Sequence, residues 1–203
     1  MIAQADFVDR GDEPVEDHYV HLYGVTWADY LRLLEIRGEK GVPRITYLEG
    51  TLEIMSPSST HEEIKSYLGR LVEVWCLDRE IDFTPFGQWT LKNKKNERGA
   101  EADECYVFGP QKHKRRPDLV IEVVLTSGGI DKLRVYRKLG VREVWYWDKG
   151  RIQVYVRRGR DYAAVDASEA LPGIDLAQLA TFVDRPTASQ AIREYRAALT
   201  PQK

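Results

Sequence analysis

The segment DLVIEVVL, residues 118–125, constrains the fold of this chain more than any other. It is almost wholly aliphatic and rich in β-branched residues, the pattern of a strand covered on both faces by packed helices. Glu122 stands in its middle. An unpaired ion in such a place costs several kcal/mol, so the carboxyl must be protonated, paired with a cation or bound to a metal. Side chains alternate along a strand, which puts Asp118, Val120, Glu122 and Val124 on one face.

The next segment, IDKLRVYRKLG, reads as a helix that carries a cationic partner. At about 100° per residue, Lys132 falls in the arc of Val135, Tyr136 and Leu139, while Arg134, Arg137 and Lys138 point away. Lys132 therefore faces the sheet. Two readings stay open at this point: a catalytic lysine beside an inward glutamate, or a structural ion pair whose lysine snorkels past the sheet edge. In GAEADECYVFG, Glu101 and Asp103 are two apart and share a face if the strand begins that early. Paired carboxylates at a strand start suit Mg²⁺ or Mn²⁺, which take oxygen ligands and keep several waters; a solvated strand terminus is the alternative. His61 falls on the same helix side as Ile64, Leu68 and Leu71, as a supporting residue or as a satisfied inward histidine.

The remaining elements follow from local signals. Residues 1–18 carry six acidic groups and little to bury, which predicts an acidic arm ahead of a single domain over 19–203. Thr26 caps a helix with Trp27, Tyr30, Leu31 and Leu34 on one face, and Gly38 stops it. RITYLEGTLEIM predicts a hairpin turning at Glu49-Gly50, with Glu49 a further supporting candidate. SPSSTHEEI places Ser and Thr three residues ahead of Glu62 and Glu63, a capping-box pattern, before a helix bearing Ile64, Leu68, Leu71 and Trp75. Strand-like runs lie at IDFTPFGQWTL, DECYVF, DLVIEVVL, EVWYWD and RIQVYV, with the Lys132 helix between the third and fourth. A last helix spans roughly Ala188 to Leu199. The order implies an α/β fold with a mixed sheet and helices packed on it.

The formal net charge of −2 gives the whole chain no attraction for nucleic acid, so such contacts must be local. Two loops qualify: Lys92, Lys94, Lys95 and Arg98 in LKNKKNERG, and Lys112, Lys114, Arg115 and Arg116 in QKHKRRP. Two cysteines are too few for a disulfide framework, and no apolar run is long enough to span a bilayer, which together point to the cytoplasm.

SPSSTHEEI, GAEADECYVFG, PDLVIEVVLTSGGIDKLRVYRKLGVREVWYWD and LPGIDL resemble, in order and spacing, the bacterial Uma-type restriction endonuclease family of the PD-(D/E)XK nuclease superfamily, over roughly Thr26 to Ala180. The resemblance implies a restriction-endonuclease-like central mixed sheet flanked by helices, here with an extra N-terminal helix and hairpin. It also implies hydrolysis of nucleic-acid phosphodiesters, DNA above all, with Mg²⁺ or Mn²⁺. By position, Asp103 and Glu122 become the metal ligands, Glu101 an additional one, and Lys132 the catalytic lysine. Asp118 takes a supporting place. The chain departs from the usual motif at Ala102, where a proline is common, and at Val124, where a lysine often stands; Lys132 from the helix then substitutes for it. Two other readings remain: a nuclease-like scaffold that binds nucleic acid without turnover, and an oligomerisation module using Trp145, Tyr146, Trp147 and Tyr155. Aromatic side chains on both faces of EVWYWD suggest a homodimer.

Overall fold

The computed structural model describes residues 16–110, 114–125 and 129–200. Within them the chain runs β1 (His18–Tyr23), α1 (Trp27–Arg37), β2 (Arg44–Leu48), β3 (Thr51–Ser56), α2 (Ser59–Asp78), β4 (Phe83–Pro85), β5 (Thr90–Asn93), β6 (Arg98–Glu101), β7 (Glu104–Phe108), β8 (Leu119–Val124), α3 (Lys132–Leu139), β9 (Glu143–Asp148), β10 (Arg151–Arg158), β11 (Asp161–Val165), α4 (Leu176–Ala180) and α5 (Ala188–Leu199). The strands form two sheets, a six-stranded one in the order β11-β10-β9-β8-β7-β4 and a five-stranded one in the order β1-β3-β2-β6-β5. All neighbours are antiparallel except β8 and β9, whose parallel pairing is bridged by α3. A parallel pair needs such a crossover, because a tight turn reverses direction.

β8 is buried on both faces, as its composition requires. Leu119, Ile121 and Val123 pack into a core with Leu68, Leu71, Val72 and Trp75 of α2 and with Tyr195 of α5. Val120 faces the other way, against Val135 and Tyr136 of α3. A third core lies under α1, where Trp27, Tyr30 and Leu34 meet Ile45, Tyr47 and Leu52. Each fully buried side chain of this size contributes about 1.5–3 kcal/mol of transfer free energy, so α2 is held chiefly by its apolar stripe.

Local chemistry sets the element ends. Thr26 and Asp29 form a reciprocal capping box on α1, and Gly38 ends the helix at φ 65°. At α2, Ser58 alone is the cap, accepting from the His61 backbone N–H. Glu62 turns instead to Arg44 and Lys65, so the expected capping box at this helix does not form.

Several expectations change. The hairpin is no appendage: β2 and β3 are the middle of the five-stranded sheet. IDFTPFGQWTL is not one strand; it breaks near Gly87, at φ 54°, so β4 joins one sheet and β5 the other. β1, β6, β11 and α4 lacked a legible signal. Residues 1–15 of the acidic arm lie outside the described residues, but its end belongs to the domain, since Asp17 is buried and His18 opens β1. Of the aromatic residues of β9, Trp145 and Trp147 are buried in the main core, and the partly buried Tyr146 packs on Tyr155 with ring centroids 5.3 Å apart. No helix among the described residues is long and apolar enough to cross a membrane, and Cys76 and Cys105 are free and buried.

Gly99 of β6 lies directly under the Tyr30 hydroxyl, where an added Cβ would collide with the ring. Gly99→Ala should cost about 1–3 kcal/mol through overpacking, seen as a lower midpoint in urea denaturation with an unchanged slope.

Candidate active site

The site forms where the chain passes from one sheet to the other. β6 ends at Glu101 and β7 begins at Glu104, so Ala102 and Asp103 span the gap. The β7–β8 register pairs Glu104 with Ile121; one further step sets Asp103 opposite Glu122. Asp103 is fully buried. Its Oδ2 accepts from the Val123 backbone N–H at 2.7 Å and from His61 Nε2 at 3.0 Å, and its Oδ1 receives the Arg44 guanidinium.

Glu122 is buried as the strand pattern demands, and it has two partners from α3. Lys132 Nζ donates to its Oε2 at 2.5 Å, and the Tyr136 hydroxyl donates to its Oε1. Lys132 and Tyr136 are four residues apart and so lie one turn apart on the same helix face. Lys132 stands in the first turn of α3, whose N-cap is Asp131.

The electrostatics of the two carboxylates diverge. Burial alone would raise the Asp103 carboxyl, but Lys132, Arg44 and His61 hold it well below the usual carboxylate range. Burial and the neighbouring Asp103 charge push Glu122 up, to about 7, against the pull of Lys132 and Tyr136. Burial opposes charge on Lys132, yet Glu122 and Asp103 outweigh it and raise its pKa. Burial likewise opposes charge on His61, but hydrogen bonds to Asp103 and Asp17 raise it to about 9. His61 Nδ1 lies 2.9 Å from Asp17 Oδ2, and Nε2 lies 3.0 Å from Asp103 Oδ2 and 2.9 Å from the Arg44 guanidinium. Asp17 also accepts from the Ser58 backbone N–H at 2.8 Å, tying the start of α2 to this network.

A pocket of about 170 Å³ opens beside these groups, lined in part by Glu53, Glu122, Ile130, Lys132, Tyr19 and Tyr146. Asp103, Glu122, Lys132 and His61 are thus brought together; helix and strand periodicity had paired Glu122 with Lys132, and the family resemblance had added Asp103. Arg44, Asp17, Tyr136 and Glu53 were not singled out. Tyr136 was legible, because it shares the helical arc of Lys132. Glu53 alternates with Leu52 and Ile54 and so had to leave the apolar face, but where that face points is tertiary information. Asp17 was hidden in an acidic run.

Other candidates stand elsewhere. Glu101 does not join Asp103: its carboxylate takes Arg37 at 2.5 Å, the Ile45 backbone N–H at 2.9 Å and the Thr90 hydroxyl at 2.8 Å. It closes the β2–β6 ladder where the strands part, and the turn at Ala102 breaks the alternation that would have aligned the two acids. Glu49 engages Arg98 and Arg134 at the hairpin turn. Asp118 accepts from the Phe108 backbone N–H at 2.9 Å and pairs with Lys114 at 2.5 Å; it is four residues, about 13 Å along a strand, from Glu122. Among the basic residues, Lys92, Lys94, Lys95, Arg115 and Arg116 are exposed. Arg98 is not: it is buried, donating to Glu49 and to the Arg134 carbonyl. Lys112 lies outside the described residues.

Among the described residues, no group of three or more His, Cys, Asp or Glu side chains is placed to hold a metal ion. Two carboxylates remain, Asp103 and Glu122. Mg²⁺ needs only one or two protein carboxylates, completing its shell with water and phosphate oxygen. Burial first, and the neighbouring Asp103 charge second, raise the Glu122 carboxyl; with Asp103 opposite Glu122, the two acids offer the one or two carboxylates that a hard divalent ion takes from a protein.

The chain matches the Uma2 family model, described as "Putative restriction endonuclease", over residues 27–184. It is also similar to an Anabaena variabilis ATCC 29413 protein, whose crystal structure is described as "a putative nuclease belonging to DUF820": 17% identity, 85% of this chain and 99% of that chain covered, TM-score 0.48. No curated protein matches the sequence. The family match runs from the first residue of α1 to beyond α4 and includes Asp103, Glu122 and Lys132, and the protein belongs to this restriction endonuclease family.

Proposed function

We propose that the protein is a divalent-metal-dependent endonuclease that hydrolyses phosphodiester bonds of DNA, with Asp103, Glu122 and Lys132 as its catalytic set. The observation that carries this reading is that Glu122 of a buried strand and Lys132 of the crossover helix meet at one pocket, with Asp103 of the strand junction buried opposite Glu122 and held by the Val123 backbone N–H. Family membership supports the same chemistry.

Asp103 and Glu122 would hold the Mg²⁺ or Mn²⁺, which when bound supplies Lewis acidity and a water of lowered pKa. The chain does the rest. Arg44 and His61 keep Asp103 ionised and fix its orientation. Tyr136 holds one Glu122 oxygen and Lys132 the other. An ammonium has three protons, so Lys132 has donors left to orient the attacking water and to offset charge building on the phosphate. Lys92, Lys94, Lys95, Arg115 and Arg116 supply exposed charge for the nucleic-acid backbone.

One observation favours the second reading, an inert scaffold. Both Asp103 oxygens are already satisfied by protein donors, and a structural ion network needs nothing more. Titration with Mn²⁺ separates the two, since a purely structural network should not bind it.

Supercoiled plasmid should be nicked or linearised with Mg²⁺ or Mn²⁺ and left intact with chelator, and Asp103→Ala and Glu122→Ala should abolish the activity. Lys132→Ala should lower kcat by roughly 10²–10³-fold, the usual loss for one donor to a developing oxyanion; full metal-dependent activity in that variant overturns its assignment. Lys94→Glu combined with Lys95→Glu should flatten the salt dependence of DNA binding, by about one unit of log–log slope per lost phosphate contact. An unchanged slope in a titration from low to moderate salt removes this loop from the interface.

A further inference from the structure

We propose that Glu53 is a positioning residue: by clamping the connection between β8 and α3, it sets where Lys132 stands in the pocket. Its consequence for catalysis rests on the nuclease reading, whereas the positioning does not.

Glu53 is in the middle of β3, directly across from His21 of β1 and Thr46 of β2. Its neighbours Leu52 and Ile54 face α1, so strand alternation sends Glu53 to the opposite face, toward the pocket. The side chain is buried, 2% exposed, and a buried carboxylate must be matched by donors. His21 Nε2 lies 3.0 Å from its Oε2, and the Ile130 backbone N–H donates to the same oxygen at 2.6 Å.

Ile130 lies two residues before Lys132, ahead of the N-cap Asp131. The Glu53 contact is thus a charge-assisted tie from the five-stranded sheet to the backbone that delivers the lysine. Gly129 belongs to the same fitting. A Cβ there would sit 2.6 Å from Glu53 Oε2, so the close approach of the carboxylate leaves room only for hydrogen. Glu53 and Lys132 also line the same pocket from different sheets, one from β3 and one from the helix packed beside β8.

Lysine reaches its target through a flexible four-carbon stem, so the bond to Glu122 alone leaves its backbone origin free to shift. A displacement of about 1 Å in a catalytic group costs on the order of 10²-fold in rate. Fixing the Ile130 N–H removes that freedom where the helix starts.

The test uses the full chain and reads Lys132 directly. Wild type, Glu53→Ala, Glu53→Gln and Gly129→Ala are treated briefly with N-hydroxysuccinimidyl acetate, and acetylation is mapped by mass spectrometry with exposed Lys149 as the internal reference. Hydrogen exchange of the peptide containing Ile130 is followed in parallel. Glu53→Ala and Gly129→Ala, which break the tie from opposite sides, should raise Lys132 labelling several-fold relative to Lys149 and speed exchange at Ile130. Glu53→Gln, which keeps an acceptor oxygen, should restore most of the protection. In plasmid cleavage, Glu53→Ala should lower kcat about 10²-fold with KM little changed. Lys132 labelling and Ile130 exchange equal to wild type in both Glu53→Ala and Gly129→Ala overturn the proposal. If instead labelling changes as expected but wild type cleaves no DNA with either metal, the positioning stands and the nuclease reading fails.

Discussion

The ion pair between Glu122 and Lys132 is the interaction on which the arrangement of this protein turns. A carboxylate in the middle of a doubly covered strand is admissible only if a cation comes to it. The cation comes from α3, the element that must exist anyway to connect the parallel strands β8 and β9. The topology of the sheet and the chemistry of the pocket therefore have one cause. Lys132 is the first residue of the crossover helix, and from there its ammonium reaches Glu122 near the carboxyl end of β8. Tyr136, one turn later, closes the other oxygen from the same helix face.

The second carboxylate depends on a different feature, the exchange of the chain between two sheets. Had β6 continued into β7 within one sheet, Asp103 would have kept the alternation of Glu101 and shared its surroundings. Because the chain leaves one ladder at Glu101 and joins another at Glu104, the two acids are parted. Glu101 seals the ladder that is ending, with Arg37 and the Ile45 N–H. Asp103 turns into the ladder that is beginning, against the Val123 N–H.

This difference explains what could be read in the sequence. Features set by local signals were legible: the buried strand at 119–124, the inward face of Lys132, the cap at Thr26, and the helix at 188–199. Features set by where one element meets another were not. Glu101 and Arg98 carried the right charges at plausible spacing, but both are spent on internal pairs, Glu101 with Arg37 of α1 and Arg98 with Glu49 at the hairpin turn, that only the tertiary arrangement creates. IDFTPFGQWTL had continuous strand propensity, and its division between sheets at Gly87 is a tertiary outcome. Arg44 and Glu53 were simply residues in a hairpin until the hairpin was found to form the middle of a sheet with one face turned to the pocket.

The hairpin's role follows from charge balance. Asp17, Asp103 and Glu122 are buried acids, and His61, Arg44 and Lys132 are the cations that meet them. Arg44 begins β2, His61 lies in the first turn of α2, and Lys132 begins α3, so each cation enters at the start of an element. Side chains at such positions point into a junction without interrupting the apolar rows that follow. The apolar rows of α2 and β8 run on into the core immediately beyond, which is why the polar network can be buried on all but its pocket side and yet leave the packing of those elements intact.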